Sequence, residues 1–228
     1  MEKENLNKVK ISIVFNILIF ILTIISTIMM FTGFKFMHGN DLVLESTKLG
    51  MFRFFTVDSN ILMGISAILF AIEELKLLSG KLKEISKKFY ILKLMATTGV
   101  ALTCFVVFTY LGPITKGGVG RLLMNSNLFF HLVTPLLSII TFTFFERTNS
   151  LSFKDSFYGI VPTFLYEIYY LINIVIHMEN GKVSPLYDWY WFVQNGVWTA
   201  VIVAPLMLLI TYGLSFVIWK INRKKSIS

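Results

Sequence analysis

Apolar residues fall in six runs along this chain, each near the ~20 residues an α-helix needs to cross hydrocarbon. Charge is confined almost wholly to the segments between them. The runs lie at about 11–34, 54–72, 90–111, 125–145, 158–177 and 191–219. The pattern predicts a single all-α domain over residues 1–228, an integral membrane bundle of six helices. Pro205 is expected to kink the sixth helix. The charged stretch EELKLLSGKLKEISKK at 73–88 is expected to be partly helical and to lie at the membrane surface.

Polar residues inside the runs stand at helical spacing, and they carry the candidate chemistry. The fourth run has Asn127, His131, Thr134 and Ser138 in line. In the second, Thr56, Asn60, Met63 and Ala67 share a face, and Gly64 and Ala67 suit close helix packing. In the fifth, Thr163, Tyr166, Glu167, Tyr170, Asn173 and His177 line one side, with Glu167 near the middle. A carboxylate in hydrocarbon costs roughly 2.5–3.5 kcal/mol even on lenient scales, and an imidazole is also costly, so both are expected to face inward. His131 is six residues beyond Asn125, or about 9 Å along a helix. Thr56 lies near the same end of its own run, so the two match in depth to on the order of 5 Å.

An imidazole beside a hydroxyl is the minimum for nucleophilic acyl transfer, the nitrogen taking the proton as the oxygen attacks. The amides of Asn60 and Asn127 are candidate oxyanion donors. Each residue also has a structural reading. Thr56 can bond a backbone carbonyl. His131 can bond Asn127 one turn away, or a local carbonyl freed by Pro135. Glu167 can bond tyrosines across the bundle, orient His131, relay protons or hold an ion.

Composition agrees with a membrane protein: 55% of residues are hydrophobic and mean hydropathy is +0.71. The net charge of +8 belongs to loops and tails and implies no nucleic-acid partner. Lys and Arg are concentrated in the amino tail, in 73–88, in 147–157 and in the tail from Lys220, which predicts both termini in the cytoplasm. Tyr187, Trp189, Tyr190, Trp191 and Phe192 are expected to form an interfacial belt at the opposite boundary. Cys104 stands alone in a span, which rules out an intrachain disulfide. The three histidines are scattered, with His38 and His177 expected near the outer surface, so no metal site is expected. No phosphate-binding glycine loop or other cofactor motif occurs. The first run has no small-residue cleavage site and reads as a retained helix. Ser59-Asn60, Ser126-Asn127 and Gln194-Asn195 recur at near-equal intervals at the same ends of spans two, four and six. They suggest three hairpin pseudo-repeats or simple polar capping.

Three blocks carry a family resemblance: FFTVDSNILMG (54–64), SNLFFHLVTPLLSIITFTFFE (126–146) and SPLYDW (184–189). They resemble the androgen-induced and androgen-dependent-regulator family of six-span membrane proteins, and more closely its uncharacterised bacterial branch. Animal members are threonine hydrolases of fatty acid esters of hydroxy fatty acids. The resemblance implies Thr56 as nucleophile and His131 as base, a membrane lipid or fatty-acyl ester as substrate, and a bacterial cell membrane as location. The chain departs from the animal pattern in having Asp58-Ser59 between Thr56 and Asn60. The expected function is therefore an intramembrane lipid-ester hydrolase or acyltransferase. Asn60, Asn127, Glu167 and Tyr170 are expected to bind substrate or support the pair. The alternatives are a small proton- or ion-coupled transporter using Glu167 and His131, and a non-catalytic membrane scaffold.

Overall fold

A computed structural model of the chain describes residues 3–37, 46–193 and 196–223. His38, the Gln194-Asn195 pair and the end of the basic tail lie outside the described residues. The protein is mostly helical. Helix α1 is Lys3–Thr32, α2 is Phe55–Leu78 and α3 is Lys87–Ile114. Helix α4 is Ser126–Phe145, α5 is Phe153–Ile176 and α6 is Val197–Asn222. A two-residue β-hairpin, Met178–Glu179 with Lys182–Val183, joins α5 to α6. Five of these helices, all but α2, are long and apolar enough to cross a membrane.

The helices bury many of their small and polar residues and expose many of their large apolar ones. Along α1 the buried positions include Ser12, Asn16, Ile19, Thr23, Ser26 and Met30, at alternating intervals of four and three, with Ile13 and Met29 beside them. The exposed positions include Val14, Leu18, Ile21, Ile25 and Ile28. In water this arrangement would waste the apolar surface. In lipid it is favoured, because close backbone approach and interhelical hydrogen bonds drive association instead. Gly64 of α2 shows the approach: a Cβ there would meet Thr23 Cγ2 of α1 at 2.9 Å. Gly159 does the same for α5, where a Cβ would collide with Ser215 of α6.

Three buried clusters stack along the bundle. One end holds Met30, Met51, Phe54, Val57, Phe130, Tyr170, Ile174 and Trp189. The middle holds Ile19, Met63, Ala67, Ala96 and Val100. The other end, where α1 begins and α6 ends, holds Leu94, Phe142, Leu151, Ile218 and Trp219. We call these the hairpin end and the terminal end.

Several expectations change. The stretch 73–88 is not a surface segment at its start: α2 continues to Leu78, and Glu73 and Glu74 are buried. The fifth helix begins earlier than 158, with a 3-10 segment Phe153–Ile160 held by a capping box between Ser152 and Asp155. The sixth begins later than 191, at Val197. Trp189 does not sit in an interfacial belt. It is 6% exposed and packs in the hairpin-end core, whereas Trp191 is 50% exposed.

Candidate functional site

The site at the hairpin end is built on a distortion of α4. Its first turn, Ser126–Leu128, passes into a wide π segment, Phe129–Val133, before ordinary helix resumes at Thr134. In that wide register the Thr134 N–H bonds the Phe129 carbonyl. The Phe130 carbonyl is next in line, facing residue 135. That residue is a proline and has no N–H to give. The orphaned carbonyl is taken by α2: Asn60 Nδ2 donates to it at 3.1 Å. The sequence pointed to a carbonyl freed by Pro135, and its partner is this asparagine on another helix.

Asn60 Nδ2 also donates to the Thr56 carbonyl at 2.8 Å. Its two amide hydrogens are thus committed, leaving none for an oxyanion. Asn60 acts as a staple between the first turns of α2 and the π segment. Thr56 lies one turn before Asn60 on the same face and is half-buried. Its carbonyl also accepts from Ser59 Oγ.

His131 sits in the middle of the π segment and is 8% exposed. Its Nδ1 lies 2.6 Å from the Leu122 carbonyl. A carbonyl oxygen accepts only, so Nδ1 carries the hydrogen, and in the neutral ring Nε2 keeps the lone pair. The partner is therefore Leu122 and not Asn127. Among the described residues no hydrogen bond joins the Thr56 hydroxyl to the imidazole. Asn127 is buried in the first turn of α4. Its neighbour Asn125 fixes where that turn starts. Asn125 has φ 55, and its Oδ1 accepts the Phe36 and Met37 N–H groups at 2.8 Å each, tying the end of α1 to α4. Thr134 Oγ1 and Asn60 Oδ1 are buried without a partner.

On α5, Thr163, Glu167, Tyr170 and Ile174 form the buried face. Glu167 is 8% exposed and its Oε1 has no partner. The tyrosines beside it do not bond it. Tyr166 donates to the Arg53 carbonyl, and Tyr170 donates to Asp188. Asp188 is fully buried and also accepts the Phe192 and Val193 N–H groups at 2.8 and 3.1 Å. The SPLYDW block thus folds into a lock that pins the α5–α6 connection, and Tyr170 belongs to it. Tyr190 completes the lock by accepting the Phe55 N–H. Burial pushes its hydroxyl up to about 12. His177 stacks on Tyr187 at 3.6 Å and bonds the Asn173 carbonyl.

A second polar cluster, at the terminal end, is absent from the sequence reading. Lys93 is fully buried and its Nζ lies 3.2 Å from Glu146 Oε1. It also donates to Asn16 Oδ1. Asn16 Nδ2 in turn contacts Glu146 Oε1 at 2.7 Å and Glu74 Oε2 at 3.3 Å. Ser12 Oγ donates to Glu146 Oε1 at 3.1 Å. The signal was present: Asn16 and Lys93 each stand inside an apolar run, and Ser12 and Asn16 are four apart. Among the described residues no group of three or more His, Cys, Asp or Glu is arranged to hold a metal ion.

Comparisons with known protein families, with curated proteins and with solved structures find no match to this chain.

Proposed function

We propose that the protein is an intramembrane lipid-ester hydrolase of the kind that the three sequence blocks resemble. Its substrate would be a fatty-acyl ester entering from the bilayer. Thr56 Oγ1 attacks the ester carbonyl carbon, and His131 Nε2 takes the hydroxyl proton. The carbon–oxygen ester bond then breaks, the alcohol leaves with the proton from His131, and water releases the acyl group from Thr56. Asn127 is the amide available to the oxyanion, since Asn60 is committed elsewhere. The observation that carries this reading is the 2.6 Å bond from His131 Nδ1 to the Leu122 carbonyl. It orients the ring and leaves Nε2 as the basic nitrogen, on a segment that Asn60 ties to the turn of Thr56.

In this reading α2 is a sixth crossing, both termini are cytoplasmic, and the hairpin end faces outward in a bacterial cell membrane. The test is labelling with a fluorophosphonate ester probe. Wild-type protein should be labelled, and Thr56→Ala and His131→Ala proteins should not. Labelling that persists in either variant overturns the proposal.

One observation favours a second reading, a proton-coupled carrier: the partnerless Oε1 of Glu167 on the buried face of α5. Flux in proteoliposomes that is unchanged by Glu167→Gln would dismiss it.

A further inference from the structure

Arg53 closes the short 3-10 helix Lys48–Arg53 that leads into α2 at the hairpin end. Its backbone is held in place, because the Tyr166 hydroxyl donates to its carbonyl. Its side chain is held by rings alone. The guanidinium carbon lies 4.9 Å from the centre of the Phe54 ring and 6.0 Å from that of Trp189. Both rings belong to the hairpin-end core, so the half-buried cation rests against fixed aromatic faces. Its Nε is buried without a hydrogen-bond partner. Among the described residues no Asp or Glu pairs with it. Asp188, beside Trp189 in the chain, is committed to Tyr170 and to the N–H groups of Phe192 and Val193.

A guanidinium drawn partly out of water without a counter-charge is costly. Aromatic faces offset part of that cost, but they engage the flat face of the cation. The N–H groups lie in its plane and point outward from the edge, in a fork that fits two oxygens of a phosphate. Nη1 and Nη2 bond no described residue, and unlike Nε they are not closed off by the protein. Two of the residues around this cation are apolar and exposed. Leu49 and Phe52, on the same 3-10 helix, are 75% and 40% exposed. An inorganic anion would leave them uncovered, whereas an acyl chain would cover them. The segment also stands just before the first turn of α2, the level at which a crossing helix meets the phosphate layer of a bilayer.

We propose that Arg53 is the phosphate-binding residue of a phospholipid site at the hairpin end, with the acyl chains lying along Phe52 and Leu49. The lipid phosphate accepts from Nη1 and Nη2 and supplies the counter-charge that the chain does not. Through Arg53 and its bond to Tyr166, the bound lipid ties the start of α2 and the middle of α5 to one headgroup. The site does not depend on the pairing of Thr56 with His131.

Native mass spectrometry of the full chain in detergent tests this, with phosphatidylglycerol as the probe and diacylglycerol of the same chains as the control. Wild-type protein should bind phosphatidylglycerol in preference to diacylglycerol. Arg53→Gln should weaken phosphatidylglycerol binding by about 10–100-fold, the effect of losing charge-assisted hydrogen bonds, and leave diacylglycerol binding unchanged. Equal affinity of the wild-type protein for the two lipids would overturn the proposal, and so would phosphatidylglycerol binding that survives Arg53→Gln. Displacement of the lipid by inorganic phosphate at equal concentration would overturn the lipid assignment in favour of a soluble anion, and displacement by oleate would do so in favour of a carboxylate. If Arg53→Gln protein fails to fold, Arg53→Lys decides. It keeps a cation and loses the fork, so phosphatidylglycerol affinity unmoved by that change overturns the assignment.

Discussion

At the scale of single residues, the two polar clusters differ in what they tolerate. Lys93 is the cation that the described structure pairs with Glu146, and it is fully buried. Breaking a buried ion pair by removing one partner costs far more than removing both, because the remaining charge is left uncompensated. Lys93→Met is therefore expected to lower stability by about 3–5 kcal/mol. Adding Glu74→Gln should recover part of that loss, and thermal unfolding in detergent measures both. At the hairpin end, Asp188 accepts from one hydroxyl and two backbone N–H groups. Asp188→Asn turns one acceptor oxygen into a donor that faces other donors. The expected loss is roughly 2–3 kcal/mol, read in the same assay. His131 lies in neither class. Its bond to Leu122 is a single neutral contact, so His131→Ala should cost only about 1 kcal/mol, from the orphaned Leu122 carbonyl. It should nonetheless reduce ester turnover by a factor of about 100 or more, the usual contribution of a general base.

At the scale of elements, α4 is the informative case. Its apolar length and its polar line were legible in the sequence, and so was the loss of a donor at Pro135. The π register was not, because a single five-residue turn is too short to show in hydrophobic periodicity. The partner of the freed carbonyl, Asn60, lies 70 positions away in the chain and follows only from the fold. The same limit explains the terminal cluster: Asn16, Lys93 and Glu146 lie far apart in the chain, and only the packing of three helices brings them together. Trp189 was misread for the converse reason, since an aromatic at a span end suits an interface and a core equally well. The staple makes a specific expectation. Asn60→Leu alone should destabilise by about 1 kcal/mol, since it orphans the Phe130 carbonyl. In a Pro135→Ala background, where residue 135 regains an N–H, the same change should cost less. Equal costs in both backgrounds would show that the proline and the asparagine act independently.

At the scale of the whole molecule, the question is whether α2 crosses the membrane with the other five helices. It spans 24 residues, or about 36 Å of helix, enough to reach both polar boundaries. It packs between α1 and α3, with Gly64 against Thr23 on one side and Ser59 against Thr103 on the other. Asp58 lies in its first turn and Glu73, Glu74 and Lys76 near its last, which places charge at both ends and none between. Glu73 and Lys76 pair at 2.7 Å, and Glu74 joins the buried cluster, so the charged end is compensated where it enters the bundle. A helix held in this way cannot lie along the surface without breaking the contacts of α1 and α3 together. If α2 crosses, the loop after it shares a side with both termini, and the β-hairpin lies on the opposite side. Single cysteines at Leu49→Cys, exposed just before α2, and at Ser79→Cys, just after it, in a Cys104→Ser background, read this directly with an impermeant maleimide on intact cells. Leu49→Cys should react from outside, and Ser79→Cys should react only after the membrane is permeabilised. Reaction of both from the same side would remove α2 from the set of crossings and, with it, the shared depth on which the pairing of Thr56 with His131 depends.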